Sequence, residues 1–165
     1  MDSGELLSLV FRWLHILAGM TAVGGTIFAR AVVVPTLDEL PSEQRNALHA
    51  AMRARWSKIV AAAIGFLLVS GLYSVGVITL YYTLPRWYHP VFGVKFLLAC
   101  VIFMVASLLI GKTAAAEQVR RNARFWLNLN IVLAVLVVGL SGILRCADKI
   151  PKRDLPAMIS RQAAP

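Results

Sequence analysis

The sequence predicts an all-α integral membrane protein, an up-down bundle of four transmembrane helices. Two observations carry that expectation, and a third fixes the order of the helices. Hydrophobic residues make up 59% of the 165 residues and charged residues only 15%, against roughly 25% charged in soluble domains. The apolar residues also fall in long blocks, about 6–28, 58–82, 91–111 and 125–144, and a helix needs roughly 20 mostly apolar residues to cross the hydrocarbon core. The connections between blocks are short, so successive helices are expected to be antiparallel neighbours. A single membrane domain therefore covers residues 1–165, with 145–165 as a basic tail.

The first block follows MDSGELLSLV, which lacks the basic start of a secretory signal, so the first span is expected to be retained. The first connection contains NALHAAMRARW, rich in helix formers, and reads as a surface helix leading into the second span. The second connection, TLPRWYHP, places Trp87 and Tyr88 beside Tyr81 and Tyr82, as in an interfacial aromatic belt. The third, KTAAAEQVRR, reads as a helical extension of the third span ending near Asn122. Cys100 and Cys146 show no CxxC spacing and are expected to be free thiols.

The net charge of +9 is placed for topology rather than for nucleic acid. Arg30, Arg45, Arg53, Arg55, Lys58, Lys112, Arg120, Arg121 and Arg124 lie in or beside the first and third connections, whereas the second holds Arg86 alone. The positive-inside rule puts the first and third connections in the cytoplasm and both termini outside. The five cations from Arg145 onward argue the other way, but late charges weigh less than those flanking the first helix. A multi-pass protein of a bacterial-type inner membrane, N-out and C-out, is expected. Membrane lipid is its first partner.

The informative residues are those that a bilayer should exclude: Arg12, His15, Tyr73, His89, Lys95, Asn128 and Asn130. Ionisable groups inside a membrane mark functional sites by default. With this topology His15, Lys95 and Tyr73 share one layer in the outer half, while Arg124, Asn128 and Asn130 belong to the inner half. His15, Gly19, Ala22 and Thr26 fall on one stripe of the first helix. An imidazole above small residues suits a planar macrocycle with a bound metal, and it suits plain helix packing as well. Lys95 has no acid within the spans to pair with. Either it snorkels to the interface or it meets a ligand anion such as a porphyrin propionate. No buried carboxylates for proton transport, hydrolytic triad or phosphate loop is present.

Three stretches resemble a known family. WLHILAGMTAVGGTIFARAVVVP is similar to the first helix of the HemJ-type protoporphyrinogen oxidases, WYHPVFGVKFLLACVIFMVASLLIGK to their third, and RRNARFWLNLNIVLAVLVVGL to their fourth. FGVKFLLA is equally similar to the membrane domain of copper-resistance protein D. The resemblance implies haem b as cofactor and oxidation of protoporphyrinogen IX, with electrons passing to an acceptor in the membrane. It maps the family's histidine to His15 as metal ligand, its lysine to Lys95, its arginine to Arg30 and its asparagine to Asn130. With Gly19, Ala22 and Tyr73, these form the expected tetrapyrrole site, and His15 and Lys95 would take any catalytic role. The chain departs from the family pattern at Ala29-Arg30 and at SLLIG after the lysine.

Two alternatives stay open: a copper-handling membrane protein using Met20, Met104 and Cys100, and a cofactor-free structural or assembly subunit. Self-association into a homo-oligomer is compatible with each.

Overall fold

The computed structural model describes residues 3–152, and helices account for most of them. Helix α1 covers Ser3–Phe28. A π-helical turn, Ala29–Val33, joins it to the short α2, Val34–Asp38. Pro35 explains the turn: it has no N–H to give and its ring crowds the carbonyl four residues back. The Val34 N–H reaches back five residues to the Ala29 carbonyl, and the widened turn carries the helix through. Arg30 sits in this turn.

Helix α3, Ser42–Tyr81, runs unbroken for 40 residues, about 60 Å at 1.5 Å per residue. That is roughly twice the hydrocarbon thickness, so the surface segment expected around NALHAAMRARW is one rigid arm continuous with the second span. A two-residue strand β1, Tyr82–Thr83, follows. Next come α4, Tyr88–Ile110, α5, Ala114–Arg121, and α6, Ala123–Arg145. Strand β2, Ile150–Pro151, pairs antiparallel with β1, and Lys152 Nζ donates to the Thr79 carbonyl at 2.8 Å. The chain after α6 is thereby tied to the α3–α4 connection.

The third connection differs from expectation. It is a separate helix, because Gly111 turns extended and Thr113 caps a new start, its Oγ1 accepting from the Ala116 N–H. Arg120 donates back to the Gly111 carbonyl, satisfying one acceptor at the end of α4. The aromatic belt also differs in part. Tyr81 and Trp87 are exposed, but Tyr88 is buried against Leu144 and Ala147. There it closes the end of the helices where β1 and β2 meet.

Four helical stretches are long and apolar enough to cross a membrane: Ser3–Asp38, Ser42–Tyr81, Tyr88–Ile110 and Ala123–Arg145. Helix α1 packs most extensively on α3 and α4 on α6; the α3–α4 and α1–α6 contacts are sparser. Large apolar side chains such as Met20, Leu72, Leu97 and Val138 are more than half exposed. Lipid tails can cover such surfaces without cost, and helix association then depends on close packing and polar contacts.

One close approach fixes how α1 sits on α3. A Cβ at Gly25 would lie 2.1 Å from Cζ2 of Trp56, so the indole occupies the space that any side chain there would need. Several other glycines in the apolar stretches behave differently: Gly24, Gly76, Gly139 and Gly142 have nothing within 4 Å of such a Cβ. The GLSG stretch at 139–142 near the end of α6 thus makes no close helix contact at its glycines among the described residues.

Candidate functional site

The polar groups inside the spans form two separate layers. Packing of α1 on α3 builds the first. His15 Nδ1 and Ser70 Oγ are 2.7 Å apart, and Ser70 is almost wholly buried. The hydroxyl's only hydrogen goes to the Phe66 carbonyl, one turn back along α3. Serine in a helix commonly bonds back to that carbonyl. Facing His15, the oxygen can then only accept. This arrangement suits the tautomer with its proton on Nδ1 and the lone pair on Nε2. The Leu67 carbonyl, 3.4 Å from the same hydroxyl, also faces the ring. Two turns nearer the start of α1, Ser8 Oγ and Tyr73 Oη are 3.2 Å apart, and one turn nearer, Phe11 stacks on Tyr73 with ring centroids 4.3 Å apart.

Helix α4 brings Lys95 to this layer, near enough for its charge to act on the His15 ring. Lys95 is seven residues from Tyr88 and ten from Val105, both buried. These spacings put the three on one face of α4. The lysine is half-buried and makes no hydrogen bond or ion pair among the described residues. An ammonium in that position lacks a protein anion among the described residues.

The small residues below His15 serve mainly to pack the helices. A Cβ at Gly19 would meet Leu67 Cδ2 at 3.9 Å, so α3 backs this position. Ala22 is half-buried, and the Thr26 hydroxyl is committed to the Ala22 carbonyl.

The second layer lies at the other end of α1. Arg30 Nε donates to Asn128 Oδ1 at 2.8 Å, and Arg124 pairs with Asp38 on an exposed surface. Asn130 sits on the inner stripe of α6 with Leu127 and Ala134, and its buried Oδ1 has no hydrogen-bond partner among the described residues. Arg30 is fifteen residues beyond His15, about 22 Å along the helix. The site residues expected from the sequence are therefore not all together. His15 and Lys95 share a layer, Tyr73 borders it one turn away, and Arg30 and Asn130 stand apart. Ser70 was missed; its signal was a hydroxyl on the stripe Ala63, Ser70, Ser74 of α3.

An orphaned buried acceptor costs about 1–3 kcal/mol relative to a satisfied one. Asn130→Leu is accordingly expected to leave the melting temperature in detergent unchanged or to raise it. A clear loss of stability would show that Oδ1 has a partner in the working protein.

Among the described residues no three of His, Cys, Asp and Glu converge. His89 is exposed beside Tyr88, and Met20, Met104 and both free cysteines lie on exposed faces. The donor set of the first layer is a single imidazole held by Ser70, with the Lys95 ammonium in the same layer. No family model, curated protein or solved structure matches the chain.

Proposed function

We propose that this protein is a haem b-binding redox protein built as an up-down bundle of four membrane helices, with His15 as axial ligand. One observation carries the reading: the hydrogen bond from His15 Nδ1–H to Ser70, whose own hydrogen is committed to Phe66. Ligating histidines typically hold their second nitrogen this way, which fixes the tautomer and leaves Nε2 for the metal. The residues present fit a haem with one protein ligand. The looser seam between the α1–α3 pair and the α4–α6 pair is where a macrocycle would enter, since Leu67 backs Gly19 within the first pair. Lys95, without a protein anion, would hold a propionate. Haem supplies a one-electron relay, and resemblance to the HemJ-type family points to protoporphyrinogen IX as the electron donor. The inner membrane, N-out and C-out, is the proposed setting, because the charged connections lie together at the opposite end.

The direct test is an absorption spectrum of detergent-purified protein expressed with ample haem, oxidised and then dithionite-reduced. A Soret band with reduced b-type bands is expected; a colourless protein would overturn the proposal. Ser70→Ala removes the acceptor that holds Nδ1–H. It is expected to weaken haem binding by about 10- to 100-fold, the usual cost of losing such a partner, with the helical content intact by circular dichroism. Unchanged affinity in this variant would remove Ser70 from the site.

A further inference from the structure

We infer that the charged-connection end of the molecule carries a binding site for a phosphate-bearing anion, separate from the His15 layer. The arm of α3 presents Asn46, His49, Ala50 and Arg53 at spacings that place them on one face. Opposite stands Arg120 of α5, and the five residues line a cavity of ≈ 330 Å³. That volume lies at the small end of the range for ligand pockets, roughly 300–1,000 Å³, and suits a phosphate group with little attached.

The chemistry of the lining is one-sided. It has two guanidinium groups, an imidazole and an amide, and no carboxylate. Glu43 lies one turn toward the start of α3 and Glu117 one turn before Arg120, both exposed and neither lining the cavity. Arg53 and Arg120 are half-buried, and neither has an ion-pair partner among the described residues. Arg120 spends one donor on the Gly111 carbonyl, which fixes the side chain and leaves four of its five N–H groups. Two cations held on facing helices repel unless an anion lies between them. Arginine forks match phosphate oxygens in pairs, and the Asn46 amide can add a neutral donor.

The cavity lies just beyond the apolar parts of α3 and α4, at the level where lipid headgroups and soluble anions both have access. The shared ligand chemistry is a phosphate oxygen cluster, and the experiment separates its sources. The full-length protein is reconstituted in phosphatidylcholine nanodiscs and titrated calorimetrically with inorganic phosphate and, separately, pyrophosphate. In parallel, melting temperatures are compared in nanodiscs with and without phosphatidic acid. Saturable binding of a soluble anion, or stabilisation by the acidic lipid, is expected. Arg53→Gln is expected to weaken that effect tenfold or more, as loss of a charge-assisted pair would. Arg55→Gln removes the same charge outside the cavity and is expected to leave the effect unchanged. A response to soluble anions alone makes the ligand a free phosphate; a response to phosphatidic acid alone makes it a lipid headgroup. No response in either arm, or equal losses in the two variants, would overturn the assignment and leave only general attraction to anions. Arg53 makes no hydrogen bond or ion pair among the described residues, so the variant is expected to fold, and an unchanged melting temperature in phosphatidylcholine alone confirms it.

Discussion

His15→Ala is expected to abolish the Soret absorbance of the purified protein while leaving its helical content intact. His15 contributes one hydrogen bond, to Ser70, and a typical hydrogen bond is worth about 0.5–1.5 kcal/mol net. Its loss should therefore lower the melting temperature only modestly. The variant does leave the buried Ser70 oxygen without its imidazole partner, but that hydroxyl keeps its bond to Phe66. If His15 holds the haem as proposed, its loss is, by contrast, an all-or-none change for the cofactor. The contrast between a large spectral effect and a small effect on folding identifies a ligand. A retained haem with an unchanged spectrum would sink the axial-ligand assignment, and a variant that unfolds outright would make His15 a structural residue. Added imidazole offers a further readout: partial recovery of a b-type spectrum in His15→Ala is expected if the side chain acts only by presenting Nε2.

Gly25→Leu is expected to be the most damaging substitution in the helix packing. Even the first carbon of the new side chain would overlap the Trp56 indole, at 2.1 Å from Cζ2 and 2.3 Å from Cη2. Leucine is the better helix former by roughly 1 kcal/mol, so propensity and packing oppose each other here. Overpacking costs typically 1–3 kcal/mol, and expelling a large aromatic ring belongs at the upper end. Packing is expected to win. The check is a double-mutant cycle with Trp56→Ala, read by thermal unfolding in detergent. In the Trp56→Ala background the leucine fills the vacated space, and stability should be regained relative to Gly25→Leu alone. Additive effects would mean that Gly25 and Trp56 do not meet. Residues in contact normally show coupling of about 0.5–3 kcal/mol.

The four long apolar helices were legible from composition and block length, because the cost of unsatisfied backbone groups in hydrocarbon leaves a helix as the cheapest way to cross. The break at Gly111 was harder to read. KTAAAEQVRR has good helix formers, and only the extended Gly111 with the Thr113 cap shows that a new helix begins. Tyr88 illustrates the same limit: an aromatic beside Trp87 reads as interfacial, yet Leu144 of α6 and Ala147 just after it return to cover it.

The two polar layers divide in the same way. That His15 and Lys95 are costly inside a span, and need partners, follows from residue type and position alone. Which partner each finds depends on the rotation of one helix against another, and no single-helix pattern contains that. Tyr73 and Ser70 are both polar positions on α3, yet Ser70 receives the imidazole while Tyr73 goes to Ser8 and Phe11. Arg30 and Asn130 read as part of one site with His15, but the pairing of Arg30 with Asn128 places them at the far end of α1.

By itself, then, the sequence determined the number of long apolar helices, their order and the presence of polar groups that need partners, since these depend on composition and chain length. The tertiary structure alone decided the pairing of His15 with Ser70, the inward face of Lys95, the unsatisfied Asn130 and the basic cavity at Arg53 and Arg120. Each of these depends on how the helices pack against one another, as Gly25 and Trp56 illustrate for α1 on α3.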